Sequence, residues 1–99
     1  MARAPGTRRD GTAFDQATIE AVWAKGTPEP IPGFRKDACG ASIQRSKYGK
    51  TQRFGWEIDH IQPVAKGGSD DLANLQPLLW ENNRAKGDEW PKWECKVQQ

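Results

Sequence analysis

The sequence lacks the features of a membrane or secreted protein. Its longest apolar runs fall well short of the roughly 20 residues that a helix needs to span a bilayer, so we expect no membrane association. The first residues, MARAPGTRRDGTAF, contain arginines but no apolar segment behind them, and this pattern does not match a secretory signal. We therefore expect a cytoplasmic protein.

Cysteine and histidine are also scarce. The chain of 99 residues contains two cysteines, Cys39 and Cys95, and one histidine, His60. Three such ligands are one short of a structural zinc site, and no CxxC pair is present. We expect the cysteines to be two separate, mostly buried side chains, because a disulfide between them is disfavoured in a reducing compartment.

Charge is nearly balanced overall but unevenly distributed. The net charge is +2, and residues 1–55 hold ten Lys and Arg against five Asp and Glu, whereas residues 56–99 hold five against eight. The densest basic segment includes four residues that we predict to contact nucleic acid: Arg45, Lys47, Lys50 and Arg53. A phosphate-binding surface explains this asymmetry. From charge alone, an ordinary solvated surface explains it equally well.

The hydrophobic pattern predicts a single small α+β domain. Residues 1–12 show no periodicity and are expected to form a flexible arm, which leaves residues 13–99 as the domain. FDQATIEAVWAKG predicts a helix capped by Asp15, and ACGASIQRS and RFGWEIDHI predict two extended segments joined by a turn at KYGKT. A polar loop, PVAKGGSDD, a strand, LANLQPLLW, and a helix ending at Gly87 follow. This order should bring the end of the first strand next to the start of the final helix.

Four polar residues lie within otherwise apolar parts of this second half: Asp59, His60, Asn74 and Asn83. A carboxylate and a neutral amide oxygen are ligands suited to Mg²⁺, and an imidazole can accept a proton from water near neutral pH. Neighbouring side chains of a strand point to opposite faces. Either one of the adjacent Asp59 and His60 is therefore buried for packing, or the strand ends here and both reach one site.

The segment WEIDHIQPVAKGGSDDLANLQPLLWENNRAK, residues 56–86, resembles the HNH (His-Me finger) endonucleases, in particular small bacterial or phage members without a structural zinc. The Asp-His pair, the glycine-rich loop, Asn-Leu-Gln, and Asn with Lys three residues later all match. The resemblance implies a ββα-metal unit at about residues 54–88, with an additional N-terminal helix. It covers about a third of the chain.

The resemblance also implies roles for the residues that match. His60 would be the general base, and Asp59 and Asn83 would bind one divalent cation, Mg²⁺ or Mn²⁺. Asn74 would brace the loop. The choice between Asn82 and Asn83 as the ligand stays open, with spacing in favour of Asn83.

Many HNH proteins carry two CxxC pairs around a structural zinc, and the second pair would fall at Leu79 and Asn82 here. We therefore expect no structural zinc and expect Trp56, Trp80 and Trp90 to pack in its place.

The implied activity is hydrolysis of phosphodiester bonds in DNA, most naturally double-stranded. Arg84 and Lys86 would neutralise flanking phosphates, and Asp70 and Asp71 are expected to be solvated loop residues. A DNA-binding module of the same fold without catalysis and an RNA-cleaving toxin domain are the alternatives. The oligomeric state stays open, with a monomer as one option.

Overall fold

A computed structural model describes residues 3–99 of the chain. Two helices and five strands follow one another in the order α1 (Gln16–Trp23), β1 (Thr27–Pro28), β2 (Phe34–Lys36), β3 (Ser42–Gln44), β4 (Trp56–His60), β5 (Leu75–Leu79) and α2 (Trp80–Lys86). The strands form two antiparallel sheets, β1-β2-β3 and β4-β5. The predicted α+β class is confirmed. No helix among residues 3–99 is long and apolar enough to cross a membrane.

The first helix forms where the sequence predicts it. The Asp15 side chain accepts a hydrogen bond from the Thr18 backbone N–H at 2.9 Å, which satisfies one of the otherwise unpaired amides of the first turn. Ile19, Val22 and Trp23 are spaced along one face and are buried against the rest of the protein. Helix α1 therefore contributes one wall of the core.

The two extended segments of the middle of the chain lie in different sheets. Strand β3 pairs with β2, whereas β4 pairs with β5 over its full length, from Trp56 opposite Leu79 to His60 opposite Leu75. A short 3₁₀ turn at Arg45–Lys47 and a loop separate β3 from β4. The turn predicted at KYGKT thus joins two sheets, because β4 finds its partner later in the chain.

The unit formed by β4, the loop 61–74, β5 and α2 is the ββα arrangement that the resemblance implied. One detail of the prediction is wrong. Because β5 is antiparallel to β4, the start of α2 lies at the Trp56 end of β4, and the last turn of the helix reaches the other end. Lys86 accordingly donates to the backbone carbonyl of His60 at 2.9 Å.

The core lies between α1 and the β4-β5 sheet. Its members are buried apolar side chains from both halves of the chain: Phe14, Ile19, Val22, Trp23, Ala41, Ile43, Trp56, Ile58, Leu75 and Leu79. Trp56 is fully buried, and Trp80 is half-buried against this cluster. Trp90 is 39% exposed, so the prediction that it fills the core is wrong. It lies beyond α2 in the C-terminal tail, outside the buried cluster.

Cys39 and Cys95 form a disulfide, which corrects the prediction of two separate thiols. That prediction depended on an assumed reducing compartment and contained no information on where the tail runs. The tail returns to α2, where the backbone N–H groups of Lys96 and Val97 donate to Asn82 Oδ1 at 2.8 and 2.7 Å. This contact brings Cys95 beside the loop that carries Cys39.

Candidate active site

A cavity of about 190 Å³ lies between the end of β4 and α2. Three of the four residues singled out by the sequence line it, namely Asp59, His60 and Asn83, together with Arg84. Asp59 and His60 are adjacent at the end of β4, and both line the cavity. Both are also buried, and their side chains have different partners: Asp59 contacts Gln76 and Lys86, whereas His60 contacts Asp70.

Glu57, which was not predicted from the sequence, contacts two residues that line the cavity, Asn83 and Arg84. Its buried carboxylate accepts hydrogen bonds from Asn83 Nδ2 at 2.8 Å and from Arg84 Nε and a terminal guanidinium nitrogen at 3.2 and 2.8 Å. The hydrogen bonds between Arg84 and Glu57 raise the pKa of the guanidinium above its ordinary value. Strand alternation could have revealed Glu57, because residues two apart in β4 share a face and Asp59 is two residues later.

The carboxylate of Asp59 is buried and held from two sides. Gln76, its cross-strand neighbour on β5, donates to Oδ2 at 2.9 Å, and the ammonium of Lys86 lies 3.3 Å from Oδ1. Burial raises the pKa of Asp59 above its ordinary 3.8, against the opposing effect of these two donors. Additional positive charge near Asp59 would therefore stabilise the ionised form of its carboxylate.

The two adjacent asparagines of α2 have different surroundings. Asn82 is fully buried, and its amide contacts the carboxylate of Asp37 and the backbone of residues 96–97. Asn83 lines the cavity. Because its Nδ2 donates to Glu57, its Oδ1 is turned away from that carboxylate, and no group among residues 3–99 donates to it. The geometry favours Asn83 over Asn82 as a ligand.

His60 is buried, with only 4% of its surface exposed, and its ring has two neighbours that the sequence did not indicate. Nε2 lies 2.7 Å from Oδ1 of Asp70, and the ring of Phe14 is 6.0 Å away between centroids. The expectation that Asp70 is a solvated loop residue is wrong, because loop 61–74 folds its carboxylate back onto the imidazole. Asp71, by contrast, is exposed.

Asn74 closes the base of loop 61–74. Its side chain accepts from the Gln62 N–H at 2.9 Å and donates to the carbonyls of Gln62 at 3.1 Å and Ser69 at 2.8 Å. Gly68 lies so close to Gln62 that a Cβ atom built at this position would be 1.7 Å from its carbonyl oxygen. Only glycine fits there. Asn74 lies outside the cavity and acts on the loop.

The two residues of α2 that were predicted to contact phosphate, Arg84 and Lys86, lie in different environments. Arg84 is exposed and paired with Glu57, whereas Lys86 is only 1% exposed and paired with Asp59. The environment of Lys86 is therefore that of an internal ion pair.

The four basic residues of the segment 45–53 lie outside the cavity. Arg45 pairs with Glu20, Arg53 lies over the ring of Phe54, and Lys50 is exposed. Lys47 is half-buried. Their contact with nucleic acid stays a prediction.

The N-terminal segment 3–12 packs against the same site. Arg3, Pro5 and Gly6 contribute to the cavity wall, and the Arg9 N–H donates to both oxygens of Asp70 at 3.1 and 3.3 Å. The division of the chain into a flexible arm and a domain stays a prediction.

The donor set of the cavity fits a hard divalent cation. Mg²⁺ typically takes one or two carboxylates and completes its shell with water and phosphate oxygens. Asp59 matches this requirement, and so does the amide oxygen of Asn83, to which no group among residues 3–99 donates. Among residues 3–99 there is no group of three or more His, Cys, Asp or Glu side chains that could hold a metal by themselves.

The chain matches one known protein family. No curated protein and no solved structure matches the chain. The family model described as HNH endonuclease matches residues 38–89, which is more than half of the chain and includes β4, β5 and α2. HNH proteins are nucleases that act on nucleic acid and generally use a divalent metal. The chain belongs to the HNH endonuclease family.

Proposed function

We propose that this protein is a divalent-cation-dependent endonuclease that hydrolyses phosphodiester bonds in double-stranded DNA. The observation that carries the proposal is the single cavity lined by Asp59, His60 and Asn83. Asp59 and Asn83 would hold one Mg²⁺ or Mn²⁺ ion, and His60 would act as the general base.

The chemistry follows from these assignments. His60 takes a proton from water as the water oxygen forms a bond to phosphorus. The bond from phosphorus to the 3′ oxygen breaks, and that oxygen takes a proton from solvent, which leaves 5′-phosphate and 3′-hydroxyl ends. When bound, the cation supplies positive charge to the phosphate and to the leaving oxygen.

The residues around the cavity support binding of an anionic polymer. Arg84 exposes its guanidinium at the cavity while Glu57 fixes its orientation, so it is suited to a phosphate next to the scissile bond. Arg45, Lys47, Lys50 and Arg53 would extend this contact along the backbone. One cavity serves one strand, so the first product from a plasmid should be a nicked circle.

The proposal is tested with supercoiled plasmid in Mg²⁺ or Mn²⁺. Wild-type protein should nick the plasmid, and EDTA should abolish nicking. His60→Ala should lower the rate by about 10²- to 10⁴-fold, the usual contribution of a general base. Asp71→Ala, which alters an exposed carboxylate of the neighbouring loop, is the matched control and should cut like wild type. Circular dichroism confirms that each variant is folded.

Three outcomes would contradict the proposal in different ways. Undiminished nicking by His60→Ala removes the mechanism. Salt-sensitive DNA binding without cleavage in any divalent ion indicates a catalytically silent module. Preferential cleavage of RNA in a mixture of RNA and DNA assigns the same chemistry to a different substrate.

A further inference from the structure

The contact between His60 and Asp70 joins a buried imidazole to a carboxylate ten residues later in the chain. The distance of 2.7 Å between Nε2 and Oδ1 is that of a strong, charge-assisted hydrogen bond. His60 is nearly inaccessible, whereas the side chain of Asp70 is 29% exposed. Asp70 therefore closes the outer edge of the ring and lies outside the cavity lining.

The loop holds Asp70 in place independently of the histidine. Asn74 donates to the carbonyl of Ser69, the residue before Asp70, at 2.8 Å. From the other side, the Arg9 N–H donates to both carboxylate oxygens. A carboxylate restrained from both directions can fix the orientation of a ring that it contacts.

The hydrogen-bonding chemistry assigns the two ring nitrogens. An ionised carboxylate only accepts hydrogen bonds, so the nitrogen that faces Asp70 must donate. Nε2 then carries the proton of the neutral imidazole, and Nδ1 is the nitrogen with a free lone pair. No group among residues 3–99 hydrogen bonds to Nδ1, so within that part of the chain this nitrogen is the one whose lone pair is available to accept a proton.

We propose that Asp70 is a positioning residue that holds the His60 ring with Nε2–H bound and Nδ1 directed to the attacking water. This inference rests on the proposed role of His60 as general base. When Nδ1 takes the proton from water, both ring nitrogens carry protons, and the anionic Asp70 stabilises the cation so formed. Asp70 plays the part that the aspartate plays in Ser-His-Asp triads, without touching substrate.

The direct test uses the fact that His60 is the only histidine. With ¹⁵N-labelled histidine, every imidazole signal of the protein comes from one ring. Without DNA or metal, the wild type should show a ring N–H proton protected from exchange by its bond to Asp70. Asp70→Ala should lose this signal, and Asp71→Ala should keep it. A protected N–H signal that persists in Asp70→Ala would overturn the inference.

The kinetic test separates positioning from loop stability. Asp70→Ala should lower kcat by about 10- to 10³-fold, less than the roughly 10⁴-fold loss in a Ser-His-Asp triad, with KM unchanged. Asp70→Asn keeps an accepting oxygen but not the charge, so it should retain the N–H signal and have an intermediate kcat. It also serves as the informative variant if Asp70→Ala does not fold.

Failure of this inference differs from failure of the proposed function. If His60→Ala is inactive while Asp70→Ala and Asp70→Asn both have wild-type kcat, the nuclease mechanism stands and the role of Asp70 is refuted. If His60→Ala cleaves like wild type, the mechanism is refuted, whatever the signal of the ring shows.

Discussion

Helix α2 separates two buried polar networks that are similar in burial and different in design. The site network consists of Glu57, Asp59, His60, Asn83 and Lys86 and borders the cavity. The scaffold network consists of Asp37 and Asn82 with the backbone groups that they bind. Both are less than one-tenth exposed, so burial alone does not distinguish a functional cluster from a structural one.

The difference lies in how the polar atoms are used. In the scaffold network, the two oxygens of Asp37 accept from the backbone of Cys39, Ala41 and Leu79 and from Asn82, which itself binds the tail. These donors are neutral groups of the protein. The site network instead leaves the Asn83 oxygen unpaired within residues 3–99 and keeps a carboxylate beside an open cavity. Unused hydrogen-bonding capacity next to a cavity thus distinguishes the candidate site network from the scaffold network.

The largest expected effects come from replacing each of the two adjacent asparagines of α2 by alanine. Asn83→Ala should lower the cleavage rate by about a hundredfold or more, because a ligand of a charge-stabilising cation is worth several kcal/mol in the transition state. Asn82→Ala should cost about 2 to 4 kcal/mol in the free energy of unfolding, since it leaves buried partners unpaired. Urea unfolding and plasmid nicking measure the two effects. Equal losses of activity at wild-type stability would refute the distinction.

The second prediction concerns the disulfide, which belongs to the scaffold side. Cys39 and Cys95 are 56 residues apart, and closing a loop of this length stabilises a protein by about 4 kcal/mol in the chain-entropy account. The variant with both cysteines replaced by serine should lose about 2 to 4 kcal/mol of unfolding free energy. The kcat of its folded fraction should match wild type. A selective loss of kcat at low temperature, where the variant is folded, would contradict this division.

The third prediction concerns the ion pair inside the site network. Lys86→Met should destabilise the protein by about 2 kcal/mol, because the buried carboxylate of Asp59 loses a charged hydrogen-bond donor and keeps only Gln76. Mg²⁺ should recover part of this loss by supplying positive charge at Asp59. Lys66→Met, which alters an exposed lysine of the loop, is the control. Thermal unfolding of each variant is measured with and without Mg²⁺. If Mg²⁺ does not recover any of the stability lost in Lys86→Met, Lys86 does not lie next to the cation site.

The smallest expected effect concerns the basic segment outside both networks. Replacing Lys50 and Arg53 by alanine should reduce the slope of log binding constant against log salt concentration by about one to two, since each phosphate contact contributes about 0.9. The kcat should not change. Lys92 and Lys96, exposed lysines of the C-terminal tail, provide the matched double replacement. Equal slopes for both double variants would assign the charge of residues 45–53 to ordinary solvation.

Local sequence patterns predicted the elements that hold the site. The spacing of apolar residues predicted α1. The strand–loop–strand–helix pattern predicted β4, β5 and α2 in the order in which they occur along the chain. The cavity residues Asp59 and His60 were visible because polar side chains interrupt an apolar strand. These features depend on residues close in sequence, where periodicity carries the information.

The features that were missed depend on contacts between distant parts of the chain. The burial of Lys86, the hydrogen bond from Arg9 to Asp70 and the disulfide each join segments that no local pattern connects. Glu57 is different, because its alternation with Asp59 was readable in the sequence. The roles proposed for these residues stay predictions for experiment.

Binding of Mn²⁺ to the protein without DNA, measured by calorimetry or electron paramagnetic resonance, shows directly whether Asp59 holds the cation. Asp59→Asn should weaken binding by about tenfold or more, since a charged oxygen ligand is lost, while His60→Ala should bind Mn²⁺ like wild type. Wild-type Mn²⁺ affinity in Asp59→Asn, or loss of binding in His60→Ala alone, would contradict this assignment.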